Sequence, residues 1–442
     1  VLLRSVAVVV ALALAVIPAR ALPRPVPASA PASLGALDVI ALEICYTTVM
    51  ARYYRPVDPA VLLGGARRGI AAYLASRGVA PVRLPAIPAH VDRYRAESEI
   101  DREVALSVAR YGTRIRTPDL VAQTIAGEIA ALHDPYSVVF PPAAFKKFVG
   151  FLDGTPSAGI GAELDVDPTT HAVRVADVFP DGPAEAAGLR AGDTITAIDE
   201  LPAATPADVV RALRGRPGTT VRLAFTRDGV AQPQLAIVRA VIVFPDVTGR
   251  LIAGGIGYIR IRSFGARSPQ QLDAVLARLR IAGTRGYVVD LRADGGGYRD
   301  AAIAVASHFV RGTVVTTRER TGPPVTFAAK ASTALLGAPL AVLIDGDTAS
   351  AAEIVAGAIQ DAKAGTLVGT RTFGKGLVQE TFALPDGGAI KLTTARYLTP
   401  AGRDIDTIGI APDVVVVQPA DAHPGELGHD PQLDRAVATV AP

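Results

Sequence analysis

The chain has 442 residues, 50 % of them hydrophobic, with 45 Lys plus Arg against 42 Asp plus Glu, one Cys and six His. At roughly 100–200 residues per domain this is room for two to four domains, and a formal net charge of +3 without Lys/Arg runs argues against a phosphate-tracking nucleic-acid surface. A single Cys closes no intramolecular disulfide, and the His residues show neither HExxH nor a pair at helical spacing, so no metal and no cofactor is expected.

Val6 to Ile17 is a nearly unbroken apolar run, preceded by Arg4 and followed by Ala19-Arg20-Ala21, the charged, apolar and small-residue order of a secretory signal. A dozen residues fall short of the ~20 that span a bilayer. Residues 1–21 are therefore expected to be a signal peptide cleaved after Ala21, giving an exported, periplasmic or extracellular protein; an uncleaved anchor is the lesser reading. Residues 22–33 read as a Pro/Ala-rich linker.

Residues 34–152 read as a mostly helical region. Leu37, Ile40, Ala41, Ile44, Cys45 and Thr48 share one face of a helix, and Cys45 on that face reads as core, not nucleophile. A second helix is predicted from Pro59 to about Ser76, and a third from Thr117, as N-cap ahead of Pro118, to about Leu132. The stretch 78–98 is loop-rich and unplaced. From 155 to 233 short alternating runs with Gly and Asp-Gly turns, such as Val173–Val178, Thr194–Ile198 and Val221–Phe225, read as a small sheet, with helical spacing at Pro206–Leu213. From 234 to 418 strands alternate with helices: Tyr258–Ile261, Gln270–Ile281, Gly286–Leu291, Ala301–Val310, Leu340–Ile344, Ser350–Gln360, Thr366–Val368. That alternation predicts an α/β layered domain. Residues 419–442 form a polar tail with a short helical stretch near Leu433.

Three places in the α/β region carry chemistry-bearing residues. Gly295-Gly296-Gly297 follows a strand and precedes a helix, so its backbone N–H groups form an anion or oxyanion nest, or else simply a tight turn. Ser350 begins a helix, where dipole and free N–H groups favour a negative transition state; equally, Ser350 and Glu353 make the S-x-x-E of a capping box. Lys375 lies between Gly374 and Gly376, and in an extended chain shares a face with Leu377 and Gln379, which would orient its amine; the plain alternative is a solvated Lys in a hairpin. In combination they form a Ser–Lys pair. No His lies between His308 and His423 to serve as base, and the pair works if burial lowers the Lys pKa by about three units.

Several ordered motifs then match a known family. Asp134-Pro-Tyr-Ser137, Gly159-Ile160-Gly161, Asp181-Gly-Pro-Ala184 with Ala187-Gly-Leu189 and Ala191-Gly-Asp193, Gly257-Tyr-Ile-Arg-Ile261, Asp290-Leu-Arg292 with Gly296-Gly297, Thr348-Ala-Ser-Ala-Ala-Glu353, Thr372-Phe-Gly-Lys-Gly376 and Gly409-Ile-Ala-Pro-Asp413 resemble the carboxyl-terminal processing, or tail-specific, serine endopeptidases. The resemblance implies a multi-domain α+β protein: a helical N-terminal region at 34–152, a small β-rich PDZ domain at 155–233, and an α/β serine protease core at 234–418 with a crotonase-like arrangement of sheet and helices. It implies Ser350 as nucleophile, Lys375 as general base, Gln379 as orienting residue, and the N–H groups of Gly296 and Ala351 as oxyanion hole. Glu353 and Asp361 match supporting acidic positions, and Gly159, Ile160 and Gly161 the loop that captures a peptide's terminal carboxylate. The partners implied are polypeptides with apolar C-terminal tails; a homo-oligomer and peripheral membrane association are compatible with it. Two departures stand out. Asp294-Gly295 replaces the family's usual Asn-Pro, which is expected to loosen the oxyanion loop, and an insertion precedes Asp134. Two other readings remain open at this level: a catalytically inactive PDZ-type peptide-binding or scaffold protein, and a related α/β core that binds an acyl thioester through Gly295–Gly297.

Overall fold

The computed structural model describes residues 34–82, 85–88, 90–166, 172–179, 182–202, 205–330, 335–419 and 422–441. The signal-like run, the Pro/Ala-rich segment and Asp181 of the PDZ-like motif lie outside them.

The amino-terminal region is a bundle of α1 (Ala36–Arg52), α2 (Pro59–Ser76), α3 (Arg93–Tyr111) and α4 (Thr117–Ala130), followed by α5 (Pro142–Leu152). Helix α3, which the sequence reading does not predict, begins within the loop-rich stretch 78–98 and continues to Tyr111; Asp92 caps it by accepting from the N–H of Tyr94 and Arg95, each at 3.0 Å. Thr117 is the first residue of α4, not its cap. Cys45 is fully buried on α1, and burial beside Glu128 pushes its thiol pKa well up, so it is an inert core group.

Helices α2 and α4 cross backbone to backbone, with Gly65 and Gly69 of one against Gly127 of the other. A Cβ on Gly127 would press into the carbonyl oxygen of Gly65 and stand 3.0 Å from the Gly69 Cα. Gly127→Ala is therefore expected to force the helices apart and destabilise this region by ~1–3 kcal/mol. A lowered midpoint in thermal unfolding checks it, and an unchanged midpoint would mean that the crossing yields freely.

The small sheet between residues 162 and 238 runs Ala162–Val166, Val173–Val178, Thr194–Ile198, Thr220–Arg227 in order, with α6 (Pro183–Ala186) and α7 (Pro206–Leu213) over it. Its core gathers Val175, Leu189, Ile195, Val209, Val221 and Leu223 with Ile160. Ala162–Val166 is an edge strand in this order.

The protease-like region is built on a six-stranded sheet ordered 247–252, 256–261, 286–290, 340–344, 366–369, 414–415; the first pair is antiparallel and the rest parallel. The central strands are apolar at nearly every position because both faces are covered. Ile259, Val289, Val342 and Ile344 pack against α8 (Ser268–Ile281), α9 (Arg299–Ala306) and α10 (Ala351–Asp361), while Tyr258, Val288, Ala341 and Leu343 pack against α11 (Pro431–Val440). The period of two in a strand thus divides alternate residues between two cores.

A second sheet, around the long strand Ala389–Leu398, pairs that strand with Thr313–Glu319, with Leu377–Ala383 and with Val138–Phe140 of the amino-terminal region. Leu384, Ile390 and Leu392 accordingly sit in the helical bundle's core. The helices are thereby bound into the α/β region instead of standing apart. Among the described residues no helix is long and apolar enough to cross a membrane.

Candidate active site

Three adjacent parallel strands end at one edge of the main sheet, and each releases one of the loops singled out by sequence. Strand 286–290 leads to Gly295–Gly297, strand 340–344 to Ser350, and strand 366–369 to Lys375. The carboxyl ends of parallel strands are where an open α/β sheet offers a crevice. Parallel pairing of Asp290 with Leu343 and of Ile344 with Gly369 converts separations of tens of residues into neighbouring loops.

Glu353, fully buried on the first turn of α10, joins two of them. Its Oε2 accepts from the backbone N–H of Ser350 and of Lys375, each at 2.9 Å; its Oε1 accepts from Gly374 N–H at 2.8 Å and from the Thr372 hydroxyl at 2.5 Å. The Ser350 and Lys375 backbones therefore lie within two hydrogen-bond lengths of each other. Half of the anticipated capping box is present, the return bond from Glu353 to the Ser350 N–H, and the same carboxylate also builds the Lys loop.

Ser350 has φ 57° and ψ −114°, outside both helix and strand. A side-chain-bearing residue held there is strained, and such strain persists only where surrounding contacts impose it. Here they include the Glu353 carboxylate and Tyr397, whose hydroxyl donates to the Ser350 carbonyl at 3.0 Å. Ala351 opens α10 directly after the serine, where a helix leaves its first N–H groups without helical partners.

Gly296 (φ 100°) packs against this turn: a Cβ there would stand 2.9 Å from Ala349 O, Ala351 N and Ser350 Cβ alike. Only glycine fits, both by space and by conformation. Its N–H donates to Asp294 Oδ1 at 2.8 Å. Asp294 is fully buried, burial pushes its carboxyl pKa well above the usual range, and its Oδ2 has no partner. The Ala349 N–H donates to Asp294 O at 2.9 Å, so backbone and side chain of Asp294 both hold the glycine loop. Beneath the loop, Asp290, Arg292, Asp430 and Gln432 form a buried network; Arg292 lowers the Asp290 pKa to about 2 against the cost of burial.

The Lys375 ammonium lies 5.1 Å from the centroid of the Tyr136 ring, within the Asp134–Ser137 motif. Burial lowers its pKa from 10.5 to about 8, helped by the positive charge of Lys391 and opposed by Glu353 and Asp134. Gln379 donates to Thr393 Oγ1 at 3.4 Å, and Thr393 N–H donates to Ser137 Oγ at 3.0 Å. A register shift between Val378 and Gln379 interrupts the even alternation on which a shared face for Lys375, Leu377 and Gln379 depended. Asp361 lies at the far end of α10, accepting from Ala401 N–H at 2.8 Å and pairing with Arg403. Lys391 and Tyr397 carry no signal in the sequence, and Tyr136 and Thr372 lie inside the family-like motifs but are given no role by them. They reach the site through a second sheet and a buried helix end, which no local spacing announces.

Gly159-Ile160-Gly161 leads into the edge strand 162–166. Gly161 O accepts from Phe179 N–H at 2.9 Å and Ile160 O from Ala184 N–H at 2.8 Å, while the Ile160 side chain is buried in the small domain's core. That domain meets the α/β region through Arg262, which pairs with Glu163 at 2.6 Å and with Asp177, and through Ser157–Gly159 against Ala240–Ile242.

A family model described as Peptidase family S41 matches residues 255–416, and one described as PDZ domain matches residues 174–227. The carboxy-terminal-processing protease of Bartonella bacilliformis is 38 % identical over 332 residues, covering 71 % of this chain and 75 % of that protein. The carboxyl-terminal-processing protease of Synechocystis sp. is 34 % identical over 326 residues, covering 71 % and 76 %. Among solved structures, the photosystem II D1 C-terminal processing protease superposes with a TM-score of 0.52 at 25 % identity, covering 92 % of this chain and 99 % of that one. On these matches this chain belongs to peptidase family S41, among the carboxyl-terminal-processing serine proteases.

Proposed function

We propose that this protein is an exported endopeptidase that cuts polypeptides near their C-termini with a Ser350–Lys375 dyad, its PDZ domain holding the substrate's apolar tail. The observation that carries the reading is the junction at Glu353, where one buried carboxylate fixes a strained serine and a lysine whose pKa is lowered to about 8.

In this mechanism neutral Lys375 Nζ takes the Ser350 hydroxyl proton as Oγ attacks the scissile carbonyl. The Ala351 N–H faces the developing oxyanion, and Gly296 N–H joins it by exchanging its bond to Asp294 Oδ1 for one to the substrate. The Lys375 ammonium then protonates the leaving amine, the C–N bond breaks, and an acyl-enzyme remains. Water attacks the ester, giving a proton to Lys375; collapse of the second tetrahedral intermediate returns that proton to Ser350 Oγ and releases the acid. The edge strand 162–166, preceded by Gly159-Ile160-Gly161, suits strand addition of an extended tail with its carboxylate on backbone N–H groups. Gln379, with Tyr298 and Val378, lines a cleft of 490 Å³ that suits the substrate's approach.

The test is to incubate the purified chain, and its Ser350→Ala form, with an unstructured reporter that ends in an apolar tail, and to read the products by mass spectrometry. Fragments from the unsubstituted chain alone are expected. Binding of the reporter with no fragments from either would favour the scaffold reading.

A further inference from the structure

The carboxyl-terminal segment carries His423, Glu426 and His429 at intervals of three residues, which is not the HExxH pattern, in a stretch that forms no helix. The fold makes these side chains converge. His423 Nδ1 lies 3.1 Å from Glu426 Oε2, His429 Nδ1 lies 3.1 Å from Glu426 Oε1, and one donor atom from each residue lies within 4.8 Å of the others. The loop that presents them is closed by its own backbone: Glu426 N–H donates to His423 O at 3.0 Å, His429 N–H to Glu426 O at 3.0 Å, and His423 N–H to His429 O at 2.8 Å. It is anchored below by Gly425, whose N–H donates to buried Asp430 at 2.7 Å and whose carbonyl accepts from Arg250. The frame is thus fixed from within the protein.

We propose that His423, Glu426 and His429 form a site for a divalent transition metal of the zinc type, bound by two imidazole nitrogens and one carboxylate oxygen, with the remaining position open to solvent. Ligands ~2.0–2.2 Å from a tetrahedral ion stand about 3.3–3.6 Å apart; the His–Glu separations are 3.1 Å, each to a different carboxylate oxygen, and all donors lie within 4.8 Å, so small side-chain rotations close the three onto one ion. Two nitrogen donors favour zinc over calcium or magnesium, which take oxygen. The three side chains are 41, 49 and 64 % exposed, so an ion reaches them without unfolding.

One neighbour opposes the ion. Arg174, from strand 173–178 of the PDZ domain, places Nη2 3.1 Å from His423 Nδ1 and 3.4 Å from Glu426 Oε2. Its guanidinium stands on the face a cation takes and is displaced on binding. The metal and the PDZ strand therefore compete for the same carboxylate and imidazole. This sets the site apart from an incidental cluster, because removing the competitor has a defined effect.

The test is calorimetric titration of the full chain, freed of metal by a chelator and carrying no polyhistidine tag, with zinc chloride. One equivalent per chain is expected. Loss of a direct ligand in His429→Ala should weaken binding at least as much as the ~10–100-fold typical of losing an outer-shell partner, while Arg174→Ala should tighten it. The histidines lie at the surface and Arg174 is half-buried, so a circular dichroism melt checks that each variant is folded. Absence of binding by the unsubstituted chain, or unchanged binding in the His423→Ala/His429→Ala double variant, overturns the proposal and leaves a loop closed by hydrogen bonds alone.

Discussion

Lys375→Ala is expected to lower kcat/KM on a tail-bearing reporter by at least about 10³-fold, within the range that a general base contributes, with the fold intact. Lys375→Arg should be as inactive, because a guanidinium stays protonated and cannot accept the serine proton. The unsubstituted enzyme supplies the companion measurement. Its Lys375 pKa lies at about 8, so below that pH the amine is charged and useless as a base. Activity should fall tenfold per pH unit on the acid side and level off above pH 8. A profile flat from pH 6 to 9 would sink the dyad. The same depression has a sign for stability. Between about 8 and the ordinary lysine value of 10.5 the unfolded chain binds the proton that the folded chain has released, so this residue's penalty on folding relaxes as pH rises through that window.

Glu353→Ala should abolish cleavage and also lower the midpoint of unfolding. It strands the N–H groups of Ser350, Gly374 and Lys375 and the Thr372 hydroxyl, and each buried donor left without a partner costs ~1–3 kcal/mol. Glu353→Gln separates the two effects. The amide keeps the shape and one accepting oxygen, yet its NH₂ faces donors where the carboxylate oxygen accepted. The loop bearing Lys375 should shift, and a misplacement of about 1 Å is worth ~10²-fold in rate. The expected result is a fall in kcat with little change in KM, since the PDZ groove and the substrate cleft are untouched. Full kcat in Glu353→Gln would mean that Ser350 and Lys375 are held in register by other contacts.

Asp294 stands where the family resemblance leads one to expect an Asn, and a charged acid beside an oxyanion loop would oppose the developing negative charge. Burial raises the pKa of this carboxyl, and the Gly296 N–H finds an acceptor in its Oδ1.

The sequence by itself determined the helices α1, α2, α4 and α10, whose apolar spacing or terminal signals mark them, and the strands at 286–290 and 340–344, of which the second is an unbroken apolar run. It also brought Ser350, Lys375 and the glycine loop to notice, because Gly, Ser and Lys at the ends of strands are local signals. Helix α3 escaped it: that helix is polar overall, and its buried Glu103 pairs with Arg67 of another helix. What only the tertiary structure decided is everything that depends on which strands lie side by side. Parallel pairing sets three loop ends together, a second sheet delivers Tyr136 and Lys391 to the lysine, and a loop closed on its own backbone turns three separated residues of the tail into one cluster. Periodicity reports which face of an element is buried, whereas these groups meet through contacts distant in sequence, and no local pattern encodes them.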